Sequence, residues 1–199
     1  MELTRSIESS KYLQHDIDFS FPFEYDMSTS DLISHLSNMY KENIHLINAT
    51  LNIEDLETIV EVIDRSERVF IFAVGDSKIS ALTFINKCIK IKKFFYLATE
   101  NNEELSYCQG VTKKDCCLFI SYDKNNYYHH CLKTLLYKHC QIITITSHDQ
   151  DPLFKYSHHS ILIPHKEASD KIATFYSQFS FQYILNIIYA LLHKKYINS

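Results

Sequence analysis

The sequence predicts an α/β fold: three layers, α-β-α, around a five-stranded parallel sheet, with a helical extension at the N-terminus. Three observations predict it. Short runs of four to six apolar residues alternate with stretches of helical period from about residue 52 onward. Those runs are apolar throughout instead of alternating with polar residues, as strands covered on both faces require. Strand-helix alternation of this kind builds βαβ units and therefore a parallel sheet. At 199 residues, with 46% hydrophobic and 22% charged residues, the chain has the length and composition of one globular domain.

Taken in order, residues 1–27 have no clean period. They are polar up to Asp18 and then read Phe19-Ser20-Phe21-Pro22-Phe23, an extended aromatic arm or linker, leaving 28–199 as the domain proper. A helix signal begins at Ser28, with Ser30 as its N-cap, and Leu32, Ile33, Leu36, Met39, Tyr40, Ile44 and Ile47 recur at helical spacing. Asn52-Ile53-Glu54-Asp55 has the form of a capped start for a second helix through Leu56, Ile59, Val60 and Ile63. Arg68–Ala73 is the first strand, followed by a helix through Ile79, Leu82, Ile85 and Ile89. Phe94–Leu97 is the second strand, with a short polar helix at 101–109. Cys116–Ser121 is the third, with a helix at 126–138, and Gln141–Thr146 is the fourth. After a turn at Asp151-Pro152 comes the fifth strand, Ser160–Ile163, closed by Pro164. A last helix is read from Ala168 to Lys194, with Phe175, Phe179, Tyr183, Ile184, Ile187, Ile188 and Leu191 on one side.

Charge and cysteine usage narrow the function classes. A net charge of −4 with scattered lysines, as at Lys87, Lys90, Lys92 and Lys93, does not supply the basic patch of a domain that binds nucleic acid by itself. Six cysteines without C-x-x-C spacing, no apolar leader and no run near the roughly 18 apolar residues of a membrane span point to reduced thiols in a cytoplasmic protein. His129-His130 and His158-His159 invite a metal reading, but adjacent residues on a helix point about 100° apart, so no metal site is assigned. No cofactor motif is present either.

The loop after the first strand, Val74-Gly75-Asp76-Ser77, is the first candidate site. Gly75 permits close backbone approach and Ser77 offers a hydroxyl beside the free N–H groups of the following helix, a seat for an anion. By itself, strand–G-x-S–helix serves any βα turn. The wider pattern says more. The loop reads G-x-G-x-S with Ala73 for the first glycine. Phe119-Ile120-Ser121-Tyr122 opens an I-S-x-S-G motif, and Ile145-Thr146-Ser147 followed by Asp151-Pro152-Leu153 fits I-T-S…S-P-L. Together they resemble the sugar-isomerase (SIS) domain, in the form found in RpiR-type transcriptional regulators, over about residues 40–195.

That resemblance implies a sugar phosphate effector held at Gly75, Ser77 and Ser121, a homodimer or higher even oligomer, and DNA contact only through a helix-turn-helix domain that this sequence lacks. It also implies that, in an isomerase, Glu167 is the base that moves a proton between sugar carbons. As a structural residue, Glu167 is a helix-start carboxylate favoured by the macrodipole. The sequence departs from the family after Ser121, where Asp123-Lys124-Asn125-Asn126 replaces Ser-Gly-x-Thr/Ser. Asp123 brings a carboxylate toward the phosphate and Asn126 retains a hydrogen-bond donor. The expectation is a phosphosugar-sensing, dimerising regulator domain, with an isomerase and a domain kept only for assembly as its rivals.

Overall fold

The structure, a computed structural model, describes residues 17–99, 103–122 and 128–197. Five strands, β1 (Val69–Ala73), β2 (Phe95–Leu97), β3 (Cys116–Ser121), β4 (Gln141–Thr146) and β5 (His159–Leu162), form one all-parallel sheet in the order β2-β1-β3-β4-β5. Among the described residues seven α-helices accompany it: α1 (Thr29–Thr50), α2 (Ile53–Arg65), α3 (Asp76–Cys88), α4 (Glu103–Gly110), α5 (His129–Lys138), α6 (Pro152–Tyr156) and α7 (Phe175–Ile197). The three-layer arrangement matches the fold expected from the sequence. The chain winds outward from β1 in both directions, so the strand order reverses between β1 and β3, which puts the ligand-receptive crevice there.

Side-chain alternation divides the core in two. Val69, Ile71, Leu118, Ile120, Ile143 and Ile145 face α2, α3 and α7, while Phe70, Phe72, Cys117, Phe119 and Ile142 face α4 and α5. All six cysteines are buried and reduced. The inward side of α7 is Tyr176, Phe181, Ile184, Leu185, Ile188 and Leu192. Of the stripe read from the sequence, only Ile184 and Ile188 are buried. Phe175, Phe179, Tyr183, Ile187 and Leu191 form a second, half-buried stripe with a four-residue step.

The element boundaries carry several corrections. The N-cap of α1 is Ser28, not Ser30: its Oγ accepts from Asp31 N at 3.2 Å and donates to Asp31 Oδ2 at 2.6 Å, because Ser-x-x-Asp satisfies two polar groups at once. Asn52 caps α2 as expected, accepting from Glu54 N and Asp55 N. β5 lies one residue earlier than expected. The last helix starts at Phe175, seven residues later than expected. The reason is tertiary. Tyr122 Oη takes the N–H groups of Lys166 and Glu167 at 2.8 and 2.6 Å, Ser20 Oγ takes that of Ala168, and Ser20 O takes that of Ile172. Donors committed to distant acceptors do not build a first helical turn. The N-terminal arm is thus part of the same core from Ile17 on, with the Phe19 ring edge-on to Tyr176 at 4.7 Å and Phe23 beside Phe175 at 6.0 Å.

At the opposite end of the sheet Arg68 and Asp115 join β1 to β3. Arg68 donates from Nε and Nη2 to the fully buried Asp115 carboxylate at 3.0 and 2.6 Å, and Thr112 adds its N–H and hydroxyl. Burial alone pushes the Asp115 carboxyl up, but these hydrogen bonds and the guanidinium charge outweigh it and hold the group below its ordinary range. A depressed folded-state pKa stabilises above the unfolded value, and that stability is lost as pH falls through the folded one. Asp115→Asn is expected to cost about 2 kcal/mol in urea unfolding at neutral pH. The deficit should shrink as pH falls through the depressed folded-state value, where the native carboxylate itself is protonated.

Candidate functional site

The crevice at the β1/β3 switch point is a cleft of about 450 Å³, within the size range of small-molecule sites. One wall is the loop after β1. Gly75 sits at φ 57° and ψ −134°, a conformation open essentially to glycine alone, and serves as N-cap of α3 without any side-chain cap. The N-terminus of α3, the positive end of its helix dipole, therefore borders the cleft with no side-chain cap. Asp76 and Ser77 line it beside them.

The second wall is the end of β3. Ser121 lines the cleft, and so does Tyr122, which is buried. The Tyr122 ring stacks on His165 at 5.1 Å, its carbonyl accepts from the Ser147 hydroxyl, and the Lys171 ammonium lies 5.5 Å from its ring centre. Since Ser147 gives its only proton to that carbonyl, its 3.1 Å contact with His165 Nδ1 makes the ring nitrogen the donor. Asp123 and Asn126, with Lys124 and Asn125, lie outside the described residues.

The third wall is the approach to α7: Lys171, Thr174, Ser177 and Gln178. Behind it Glu167 is 0% exposed. Its Oε1 accepts from Tyr176 N at 3.3 Å, and its Oε2 accepts from the Ser177 hydroxyl and lies 3.4 Å from Lys171 Nζ. Glu167 is thus the carboxylate at the N-terminus of α7, though it reaches that position from eight residues upstream and not from the helix's own first turn. On the cleft side, Asp76 Oδ2 accepts from the Thr174 hydroxyl, joining α3 to the entry of α7.

Gly75, Ser77 and Ser121 are therefore brought together around one cavity, while Glu167 stands behind its wall. Lys171, Thr174, Asp76 and Tyr122 are cleft residues that the sequence reading did not single out. A Glu167–Lys171 spacing of four reads as a surface pair on a helix, and no local signal says otherwise. The histidine pairs serve structure: His129 Nε2 is 3.1 Å from Asp151 Oδ1, which also caps α6, and His158 Nδ1 accepts from Ile142 N.

The parallel sheet and the cleft at its switch point place the chain among the doubly wound α/β domains. Within that class the chain belongs to the SIS domain family, whose model matches residues 62–193. It is 26% identical over 163 residues to an HTH-type transcriptional regulator of Haemophilus influenzae, covering 79% of this chain and 54% of that protein. The chain thus spans about half the length of the regulators it matches. The NanR protein of Vibrio vulnificus complexed with ManNAc-6P shares the fold with a TM-score of 0.77 and 15% identity, over 85% of this chain and 65% of that one. The sugar isomerase domain of the RpiR transcription factor from Sphaerobacter thermophilus does so with a TM-score of 0.69 and 14% identity, over 81% and 91%. A phosphoheptose isomerase from Francisella tularensis also shares the fold, with a TM-score of 0.64 and 13% identity, over 84% of this chain and 100% of that one. No helix of the described residues is long and apolar enough to cross a membrane.

Gly75→Ala tests the first wall. A Cβ there meets nothing within 4 Å, so only backbone strain remains. A loss of about 1–3 kcal/mol in chemical unfolding is expected. An unchanged midpoint would mean that the turn relaxes to an ordinary conformation.

Proposed function

We propose that this SIS domain is the sugar-phosphate-sensing and self-associating part of an RpiR-type transcriptional regulator. The observation that carries the reading is the convergence of the uncapped N-terminus of α3 with Ser77 and Ser121 on one cleft at the switch point. The phosphate of the effector sits on the α3 N–H groups and takes the two hydroxyl donors, and the sugar extends toward α7. DNA contact belongs to a separate helix-turn-helix domain, since a net charge of −4 does not suit this chain to the nucleic-acid backbone.

The rival reading is a sugar-phosphate isomerase, which needs a base within hydrogen-bond reach of a carbon-bound proton. Glu167 was the candidate. Its burial and its engagement with Tyr176, Ser177 and Lys171 favour a fixed structural charge over a group that shuttles protons.

Calorimetric titration with glucose 6-phosphate tests the site. Binding is expected, and Ser77→Ala should weaken it about tenfold or more, the worth of a hydrogen bond to a charged group. Asp123→Ser, which removes the carboxylate that the family resemblance brings toward the phosphate, should tighten it. Equal affinity for wild type and Ser77→Ala would place the phosphate elsewhere, and aldose–ketose interconversion of the bound sugar would return the domain to the isomerases.

Self-association rests on a separate observation. Ile33 is 65% exposed and Leu36 and Tyr40 of α1 are half-buried, and the Tyr40 ring lies 4.8 Å from that of Phe179 of α7, which stacks on Tyr183. Incompletely buried apolar residues on two packed helices suit a two-fold contact. Light scattering is expected to give a dimer or larger even assembly, reduced by Ile33→Asp. A monomer at tens of micromolar would refute it.

A further inference from the structure

Ligand contacts beyond the phosphate fall to the α7 wall, and its hydrogen-bonding is one-sided. A serine or threonine hydroxyl has one proton to give and two lone pairs to receive with. Ser177 gives its proton to Glu167 Oε2 and Thr174 gives its proton to Asp76 Oδ2. Toward the cleft both hydroxyls present lone pairs only. The one cation of this wall, Lys171, is 13% exposed in its side chain and lies 3.4 Å from Glu167, which is fully buried. Its charge is balanced from behind, so into the cleft it offers N–H groups more than net positive charge. Asp76 adds a carboxylate on the facing wall, so Asp76, Lys171 and Glu167 together sum to one negative charge.

Resting on the sugar-phosphate reading above, we propose that the cleft selects a sugar monophosphate whose body is uncharged or cationic and donates hydrogen bonds. A second acidic group is rejected. The α3 N-terminus is occupied by the phosphate and has no further positive end to give. A carboxylate on the sugar would meet the lone pairs of Ser177 and Thr174 and the charge of Asp76, whereas hydroxyl, amide or ammonium protons find acceptors in all three. Lys171 and Gln178 remain for a hydroxyl or carbonyl oxygen of the same body. Glu167 does not touch the ligand. It is a positioning residue that sets the charge Lys171 presents.

The test is a matched set of titrations on the full chain at fixed ionic strength, with glucose 6-phosphate, glucosamine 6-phosphate and 6-phosphogluconate. Glucose 6-phosphate is expected to bind about tenfold or more tightly than 6-phosphogluconate, the open-chain acid with a carboxylate in place of the ring's C1 hemiacetal, with glucosamine 6-phosphate at least equal to glucose 6-phosphate. Glu167→Gln keeps the size of the side chain and uncovers the charge of Lys171, so it should raise the affinity for 6-phosphogluconate relative to glucose 6-phosphate. A merely structural role would weaken all three alike. Should that variant unfold, Asp76→Asn, which retains an acceptor for Thr174, is expected to narrow the same ratio. Equal or tighter binding of 6-phosphogluconate by the wild type overturns the inference and leaves the phosphate site standing, as does a ratio unmoved by Asp76→Asn. No binding of any of the three overturns both.

Discussion

A carboxylate with no access to water must be surrounded by donors, and Glu167 organises the ligand side of this domain through that requirement. Leaving such a charge uncompensated costs several kcal/mol, so its neighbours are not free to drift. Tyr176 N, the Ser177 hydroxyl and the Lys171 ammonium supply the compensation. Each is also fixed to something else. Tyr176 begins the inward face of α7, Ser177 lines the cleft, and Lys171 lies over the Tyr122 ring. The backbone N–H of Glu167 is held in turn by Tyr122 Oη. One buried charge therefore sets the start of the longest helix, the place of the cleft's cation and the link from that helix to the end of β3.

The sheet supplies the other half of the site for a topological reason. Because strand order reverses between β1 and β3, the loops that leave them diverge to opposite faces and leave a crevice that no crossover fills. In register Ala73 lies opposite Ile120, so Gly75 and Tyr122 follow at the same level. Gly75 turns the chain through a conformation that a side chain would strain, and α3 begins at once with no side-chain cap. The proposed phosphate seat joins this helix end to the Ser77 and Ser121 hydroxyls. It does not need the first glycine of the family pattern, since Ala73 closes β1 as an ordinary strand residue.

What was legible in the sequence was what local rules decide. β3 and β4 fall where their apolar runs stand, and Asn52 caps α2 because a short side-chain acceptor beside two free N–H groups has only that use. The position of Gly75, Ser77 and Ser121 at the strand ends that line the cleft was legible as well, since each follows or closes a recognisable strand. Residues 164–174 were not. Their polar, helix-compatible composition says nothing of Tyr122 Oη or of Ser20, 45 and 148 residues away from their partners at Glu167 and Ala168, and those long-range bonds decide the backbone. Lys171 and Thr174 were missed with the segment that carries them. The packing of Phe19 and Ser20 was illegible for the same reason: they read as arm or linker until Tyr176 and Ala168 are brought against them.

The same helix carries the third wall of the cleft at one end and, along its length, the half-buried stripe of Phe175, Phe179, Tyr183, Ile187 and Leu191. At 23 residues it is about 34 Å long and packs against α1, α2 and α3, so it moves as a unit or not at all. Its first turn is held by two carboxylates, Glu167 from behind and Asp76, through Thr174, from across the cleft. A ligand that donates to the lone pairs of Ser177 and Thr174 engages the same hydroxyls that Asp76 and Glu167 hold, and any preference it has for one placement of that turn is a preference for one placement of the outer stripe. The shift it produces is bounded by its differential affinity for the two placements. On the proposed reading, sensing therefore needs no relay of side chains between distant sites, because the third wall of the cleft and the outer apolar stripe are two parts of one helix.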